Sequence, residues 1–178
     1  YNIIPKVIKG LLYLQHRGQE SAGISYIKND GIVIFKNVGL VNDVFKNFNV
    51  RDNPDICIGH VRYSTSGNSK MSDQQKVSES HPIKGTHKLG TFSLAHNGTL
   101  PTFLELNRWF GFNSSSDTQF LVDFIESLDV NSWEEICKCI MDTIKGVYCL
   151  IILTNDSVYL LRDRYGYRPL CIGENKSE

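Results

Sequence analysis

Arg62 is the fourth residue of the stretch Gly59-His60-Val61-Arg62-Tyr63-Ser64-Thr65-Ser66-Gly67, which follows the apolar run Ile56-Cys57-Ile58. That pattern reads as a buried strand opening into a polar, glycine-closed loop, the kind of place where sites are built. A guanidinium presents a rigid fork of donors that matches a carboxylate through two parallel hydrogen bonds. An arginine at a strand end is more often an ordinary surface ion pair. Asn97-Gly98 follows a second strand-like run, Thr91 to Ala95. A side-chain amide beside a glycine N–H offers two donors to one oxygen, as the oxyanion of acyl transfer requires; the same dipeptide is also a common plain turn. Asp117 lies behind Ser116 in the first turn of a helical pattern. The helix N-terminus favours its ionised form, which could accept an ammonium, although acidic residues are enriched in first turns in any case. A cation for a carboxylate, an anion for an ammonium and two donors for a carbonyl oxygen together describe a free amino acid with a reactive side-chain acyl group.

The elements that must position these groups alternate between the two hydrophobic periods. Ile3, Ile4, Val7, Ile8, Leu11 and Leu12 mark a first amphipathic helix that fades near Gln15. The polar segment His16 to Gly23 reads as a turn, followed by strands Ile24 to Lys28 and Ile32 to Val38 around the hairpin signal Asn29-Asp30-Gly31. Val41 to Phe48 suits a short helix, and Thr65 to Lys88 reads as one long polar loop. Pro101 introduces a helix to about Phe110. Ser116 with Gln119, and Ser132 with Glu135, fit capping boxes for two further helices, the second ending near Lys145-Gly146. Val147 to Leu153 and Val158 to Leu161 are apolar strands, and Arg168 to Ile172 is expected to make the last one. Strands in hairpin pairs, then helices in succession, then strands again give an α+β class with antiparallel sheets covered by helices.

Composition narrows the function. The 178 residues fit one domain, and a chain of that size buries roughly 70% of its unfolded surface without metal or disulfide staples. Nineteen Lys and Arg balance nineteen Asp and Glu, and no basic block with interleaved aromatics occurs, which argues against nucleic acid as a partner. The five cysteines form no C-x-x-C pair and suggest reduced thiols in a cytoplasmic protein. Cys57 and Cys149 sit inside apolar runs and read as core residues. No apolar run approaches the roughly 20 residues of a membrane span, so no membrane partner is expected.

Five motifs occur in order: Leu14-Gln15-His16-Arg17-Gly18-Gln19-Glu20-Ser21-Ala22-Gly23, Gly59 to Gly67, Ala95-His96-Asn97-Gly98, Ser116-Asp117-Thr118, and Arg162-Asp163-Arg164-Tyr165-Gly166-Tyr167-Arg168-Pro169-Leu170. Together they resemble the glutaminase domain of the amidophosphoribosyltransferase family, a class II glutamine amidotransferase domain with the N-terminal nucleophile hydrolase fold. Within class II, His-Arg-Gly-Gln and Arg-Tyr-Ser-Thr are similar to the purine-pathway enzymes rather than to glucosamine-phosphate synthases. The resemblance implies a four-layer αββα sandwich formed by residues 1–178 as a single domain. It implies that Arg62 clamps the α-carboxylate of glutamine with Thr65 lining the same pocket, that Asp117 takes the α-ammonium, and that Asn97 and Gly98 form the oxyanion hole. Arg17 and Gly18 would shape the loop around the nucleophile. Glutamine would be hydrolysed through a thioester to glutamate and ammonia. The ammonia would pass to a C-terminal phosphoribosyltransferase domain that aminates phosphoribosyl pyrophosphate in the first step of de novo purine synthesis. The resemblance implies no cofactor in this domain, Mg2+ only in the transferase part, and a homo-oligomeric full-length protein.

One departure matters. The family's nucleophile is an N-terminal cysteine whose α-amine serves as base, and Tyr1 is not that residue. None of the internal cysteines has a free amine to replace it. Either a cysteine-bearing strand precedes Tyr1 in the protein, or the domain has lost catalysis and become a glutamine-binding sensor. The first is favoured because the other pocket residues are kept. A glutaminase domain of another class II enzyme and a purely structural interaction domain are the remaining alternatives.

Overall fold

The computed structural model describes residues 2–29, 31–49, 52–63 and 71–174. Helix α1 (Ile3–Tyr13) follows the predicted periodicity: Asn2 caps it by accepting from the Ile4 N–H, and Ile4 and Leu11 are buried. After a 3-10 turn at Gln15–Arg17 come β1 (Ser21–Lys28) and β2 (Gly31–Val38), joined where Asn29 takes a left-handed φ of 46°. A single-turn helix α2 (Val41–Val44) leads to β3 (Cys57–Arg62). The later elements are α3 (Asp73–Glu79), β4 (Ile83–His87), β5 (Gly90–Thr99), α4 (Phe103–Phe110), α5 (Asp117–Ser127), α6 (Trp133–Thr143), β6 (Val147–Leu153) and β7 (Val158–Arg162).

The strands form two antiparallel sheets, ordered β2-β1-β3 and β4-β5-β6-β7. Alternation along each strand then builds three apolar layers. Ala22, Ile24 and Tyr26 of β1 face α1 and α2, against Ile4, Leu11, Val41 and Val44. Phe92 and Leu94 of β5 and Leu150 and Ile152 of β6 face α5 and α6, against Phe120, Leu121, Ile125, Ile136 and Ile140. Between the sheets lie Ile32 and Ile58 from one and Ala95 and Leu153 from the other. The order of layers is therefore helix, sheet, sheet, helix, the αββα sandwich expected.

Several local expectations are corrected. The long polar loop Thr65 to Lys88 contains α3 and β4. No residue of α3 is buried, so no apolar period marks it, and its Ser72–Gln75 capping box is the one complete reciprocal pair of the three. In β4 the inward residues are Ile83, Gly85 and His87, a pattern that glycine and histidine conceal. Ser116 and Ser132 do cap α5 and α6, but Gln119 turns to Asp123 and Glu135 accepts from Asn131 instead of completing a box. Helix α6 ends at Thr143, short of the Lys145-Gly146 stop, and Gly111 is the left-handed C-cap, of α4. Strand β1 begins at Ser21, so Ser21-Ala22-Gly23 is strand and not turn. Arg168 to Ile172 makes no strand. Its carbonyls are taken by side chains: Arg168 O accepts from Arg162 Nε, and Pro169 O lies 3.7 Å from Cys149 Sγ.

The sheets are also joined by a polar contact: Ser25 Oγ lies 2.8 Å from Ser93 Oγ, both fully buried. Changing Ser25 to Ala strands the Ser93 hydroxyl in an apolar layer, at an expected cost of about 1–3 kcal/mol. Chemical denaturation of Ser25→Ala, Ser93→Ala and the double variant checks this; the double variant is expected to lose less than the sum of the singles.

Candidate functional site

Strands β3 and β5 and the start of α5 converge on a cavity of about 640 Å3. Arg62, Asn97, Gly98, Asp117 and Arg17 all line it. Thr65 lies outside the described residues. Gly18 lines an adjoining, more open cavity of about 830 Å3, which shares Arg17 and Tyr63 with the first and also holds Glu20, Lys76 and Arg168.

Arg62 is the last residue of β3, as the sequence pattern suggests, and its guanidinium is enclosed rather than set at the surface. Its two terminal nitrogens meet two carboxylates, Glu20 at 3.0 Å and Glu79 at 3.2 Å, with the three side chains only 9–14% exposed. This is neither a surface ion pair nor an open fork. Sheet register supplies Glu20: with Ser21 opposite Arg62 in the β1–β3 ladder, the residue ahead of Ser21 falls beside the arginine, and its N–H donates to Arg62 O. Gly18 supplies the space. A Cβ there would stand 2.7 Å from Arg62 N and from Val61 C, so the turn before β1 can lie on the backbone of β3 only if residue 18 has no side chain. Gln15 holds that turn in place, donating to Gly18 O while its Oε1 accepts from Val41 N at 2.7 Å.

Asn97 and Gly98 are strand, not turn. They continue β5 opposite Cys149 and Tyr148 of β6, with Asn97 exposed toward the cavity. Glycine is required at 98 because a Cβ would lie 1.9 Å from Val147 O and 2.7 Å from His96 Nε2. Asp117 opens α5 behind the Ser116 cap, and its Oδ2 accepts from Leu100 N at 3.1 Å. That bond ties the carboxylate to the chain leaving β5. His96 reinforces the tie, with Nδ1 3.0 Å from Thr118 Oγ1 and 4.0 Å from Asp117 Oδ1.

Sequence reasoning did not single out the floor of the cavity. His60, His81 and His96 stand in a row, with ring centroids 4.4 Å apart for the first pair and 6.4 Å for the second. Burial lowers the pKa of all three: His60 falls to about 4, His81 goes well below the ordinary value, and His96 is lowered against the pull of Asp117. The Arg62 charge adds to the effect at His60 and His81. Lys36 is also lowered, to about 8, by burial and then by Arg62; its Nζ donates to Ser78 O at 3.2 Å and to Ser80 O. His60 and His96 lie within the motifs that caught attention, so their presence was visible and their contact was not. Glu79 carried no sequence signal, since it lies in the stretch read as loop. Burial pushes the thiol of Cys57 up to about 12 and raises that of Cys149, as suits core cysteines. All five cysteines are unpaired, no cluster of three or more His, Cys, Asp or Glu among the described residues could hold a metal, and no described helix is long and apolar enough to cross a membrane.

Comparison with known proteins bears on what this cavity is. The family model for the glutamine amidotransferase domain matches residues 68–178. The chain belongs to that family. It is 38% identical to amidophosphoribosyltransferase of Methanocaldococcus jannaschii over 99% of its own length, and 35% identical to the human enzyme over 96%. It spans 38% of the first protein and 35% of the second. Among solved structures, the glutamine phosphoribosylpyrophosphate amidotransferase of B. subtilis, complexed with ADP and GMP, superposes with a TM-score of 0.82 at 30% identity, covering 97% of this chain and 37% of that one. This glutamine amidotransferase domain has the N-terminal nucleophile hydrolase architecture that the motifs implied.

Two outcomes are expected from this geometry. Gly18→Ala forces the turn off the β3 backbone and is expected to cost roughly 1–3 kcal/mol, read from the urea midpoint. For pH, the three imidazoles are neutral in the native state and bind protons more readily when unfolded. Stability is therefore full above about pH 6.5 and falls as pH drops toward 4, the folded value of His60. Each unit of pH across that window costs about 1.4 kcal/mol at His60, and His81 and His96 act in the same direction. Melting temperatures between pH 7 and 4 are expected to fall steeply in the parent protein and less steeply in His81→Gln.

Proposed function

We propose that residues 1–178 form the glutaminase domain of an amidophosphoribosyltransferase, which releases ammonia from glutamine. The observation that carries the reading is that Arg62, Asp117 and Asn97-Gly98, contributed by three elements, line one cavity of a size suited to a small ligand. Arg62 takes the α-carboxylate of glutamine and Asp117 its α-ammonium, so the side-chain amide is delivered toward Asn97 and Gly98. There the side-chain amide of Asn97 and the N–H of Gly98 stabilise the negative oxygen that develops when the carbonyl carbon is attacked. The attacking group in this reading is a cysteine thiol. It adds to the amide carbon, ammonia leaves to give a thioester, and water then releases glutamate. Arg17 and Gly18 shape the loop beside the nucleophile. The ammonia aminates phosphoribosyl pyrophosphate in a phosphoribosyltransferase domain of the same cytoplasmic, homo-oligomeric protein, in the first step of purine synthesis. That part of the protein, not this domain, uses Mg2+.

The similarity to amidophosphoribosyltransferases over nearly the whole chain supports this choice among glutamine-using enzymes. In the full-length protein, Arg62→Ala removes a charge-assisted contact worth about 1.5–3 kcal/mol, so KM for glutamine is expected to rise roughly tenfold to over a hundredfold. Glutamate release at varied glutamine concentration measures this, and an unmoved KM overturns the assignment of Arg62. Calorimetric binding of glutamine with no glutamate release would make the domain a sensor instead.

A further inference from the structure

Arg62 reaches two carboxylates at once, and the two are not equivalent. Glu20 is fixed from both sides, its N–H donating to Arg62 O and its C=O accepting from Gly39 N. It faces the neighbouring, more open cavity. Glu79 faces the cavity that holds Asp117, Asn97 and Gly98. It is the last residue of α3, a seven-residue helix none of whose residues is buried. Elements with so little buried surface open at small free-energy cost.

Two carboxylates already share the one guanidinium of Arg62, with the Lys36 ammonium near enough to feel its charge. Bringing in a third carboxylate while both stay would set like charges a few ångströms apart in a partly desolvated place, a repulsion of several kcal/mol at an effective dielectric of about 20. One of the three must withdraw. The carboxylate on the substrate side, carried by the least buried helix, is that of Glu79.

We propose that Glu79 is a built-in occupant of the carboxylate subsite, displaced from Arg62 when the α-carboxylate of glutamine binds. Glu79 thereby sets both affinity and selectivity. An amide without an α-carboxylate has nothing to exchange for the Glu79–Arg62 pair, so the pair stays closed against it. Glutamine breaks one ion pair and makes another, so the exchange offsets part of what the clamp contributes to its affinity. The inference rests on the reading of Arg62 as the carboxylate clamp.

The test is steady-state glutaminase kinetics on the full-length protein, with the inhibition constant of L-glutamate as a second measurement. Glu79→Gln keeps the shape of the side chain and removes the competing charge. It is expected to lower KM for glutamine and the inhibition constant of glutamate at least threefold, with the effect in KM rather than kcat. Glu79→Ala is expected to change both in the same direction. Glu20→Gln, which loosens the fixed partner, is expected not to lower either. A KM that is unchanged or raised in Glu79→Gln, while Arg62→Ala raises it, overturns the inference and leaves the clamp standing. A KM unmoved in Arg62→Ala removes the clamp, and this inference with it.

Discussion

The face-to-face packing of two antiparallel sheets is the constraint on which everything else here depends. Neither sheet could stand alone, with apolar residues on both faces of β1, β5 and β6. Stacking buries the inner faces, and the outer faces then need helices. Once the sheets are stacked, the C-terminal ends of β3 and β5 open into the same cavity, Arg62 arriving on one and Asn97-Gly98 on the other. The start of α5 is drawn in by the bond from Leu100 N to Asp117. The cavity is a consequence of how two sheets meet, and no single element carries it.

Electrostatics at the site follow from the same burial. A cation shielded from water must be paired, and Arg62 is paired twice. Imidazoles away from water stay neutral, which is why the three histidines on the cavity floor lose their ordinary affinity for protons, and the Arg62 cation adds to the effect at His60 and His81. The close approaches at Gly18 and Gly98 serve this arrangement. Each lets one backbone lie on another, the turn at Gly18 on β3 and the end of β5 on Val147.

Much of this was legible in the sequence, for a physical reason. Helix periods, strand alternation and caps arise between residues a few positions apart, so α1, β2, β3, α5, α6 and the serine caps of the last two could be read directly. The failures mark where local chemistry was ambiguous. Helix α3 buries nothing and so has no period, β4 hides its inward face behind glycine and histidine, and Arg168 to Ile172 looks like a strand but has its carbonyls claimed by side chains. Asn97-Gly98 reads as a turn by composition and is held extended by its partners in β6.

The sequence by itself determined the kinds of group available: a guanidinium at a strand end, a carboxylate at a helix start, an amide beside a glycine, and a set of motifs sufficient to indicate the family. Only the tertiary structure decided that these groups share a cavity, that Arg62 faces Glu20 and Glu79 from 42 and 17 residues away, and that three histidines line the floor. Such contacts depend on sheet register and layer packing, which join residues distant in the chain through burial they achieve together and which no local window of sequence encodes.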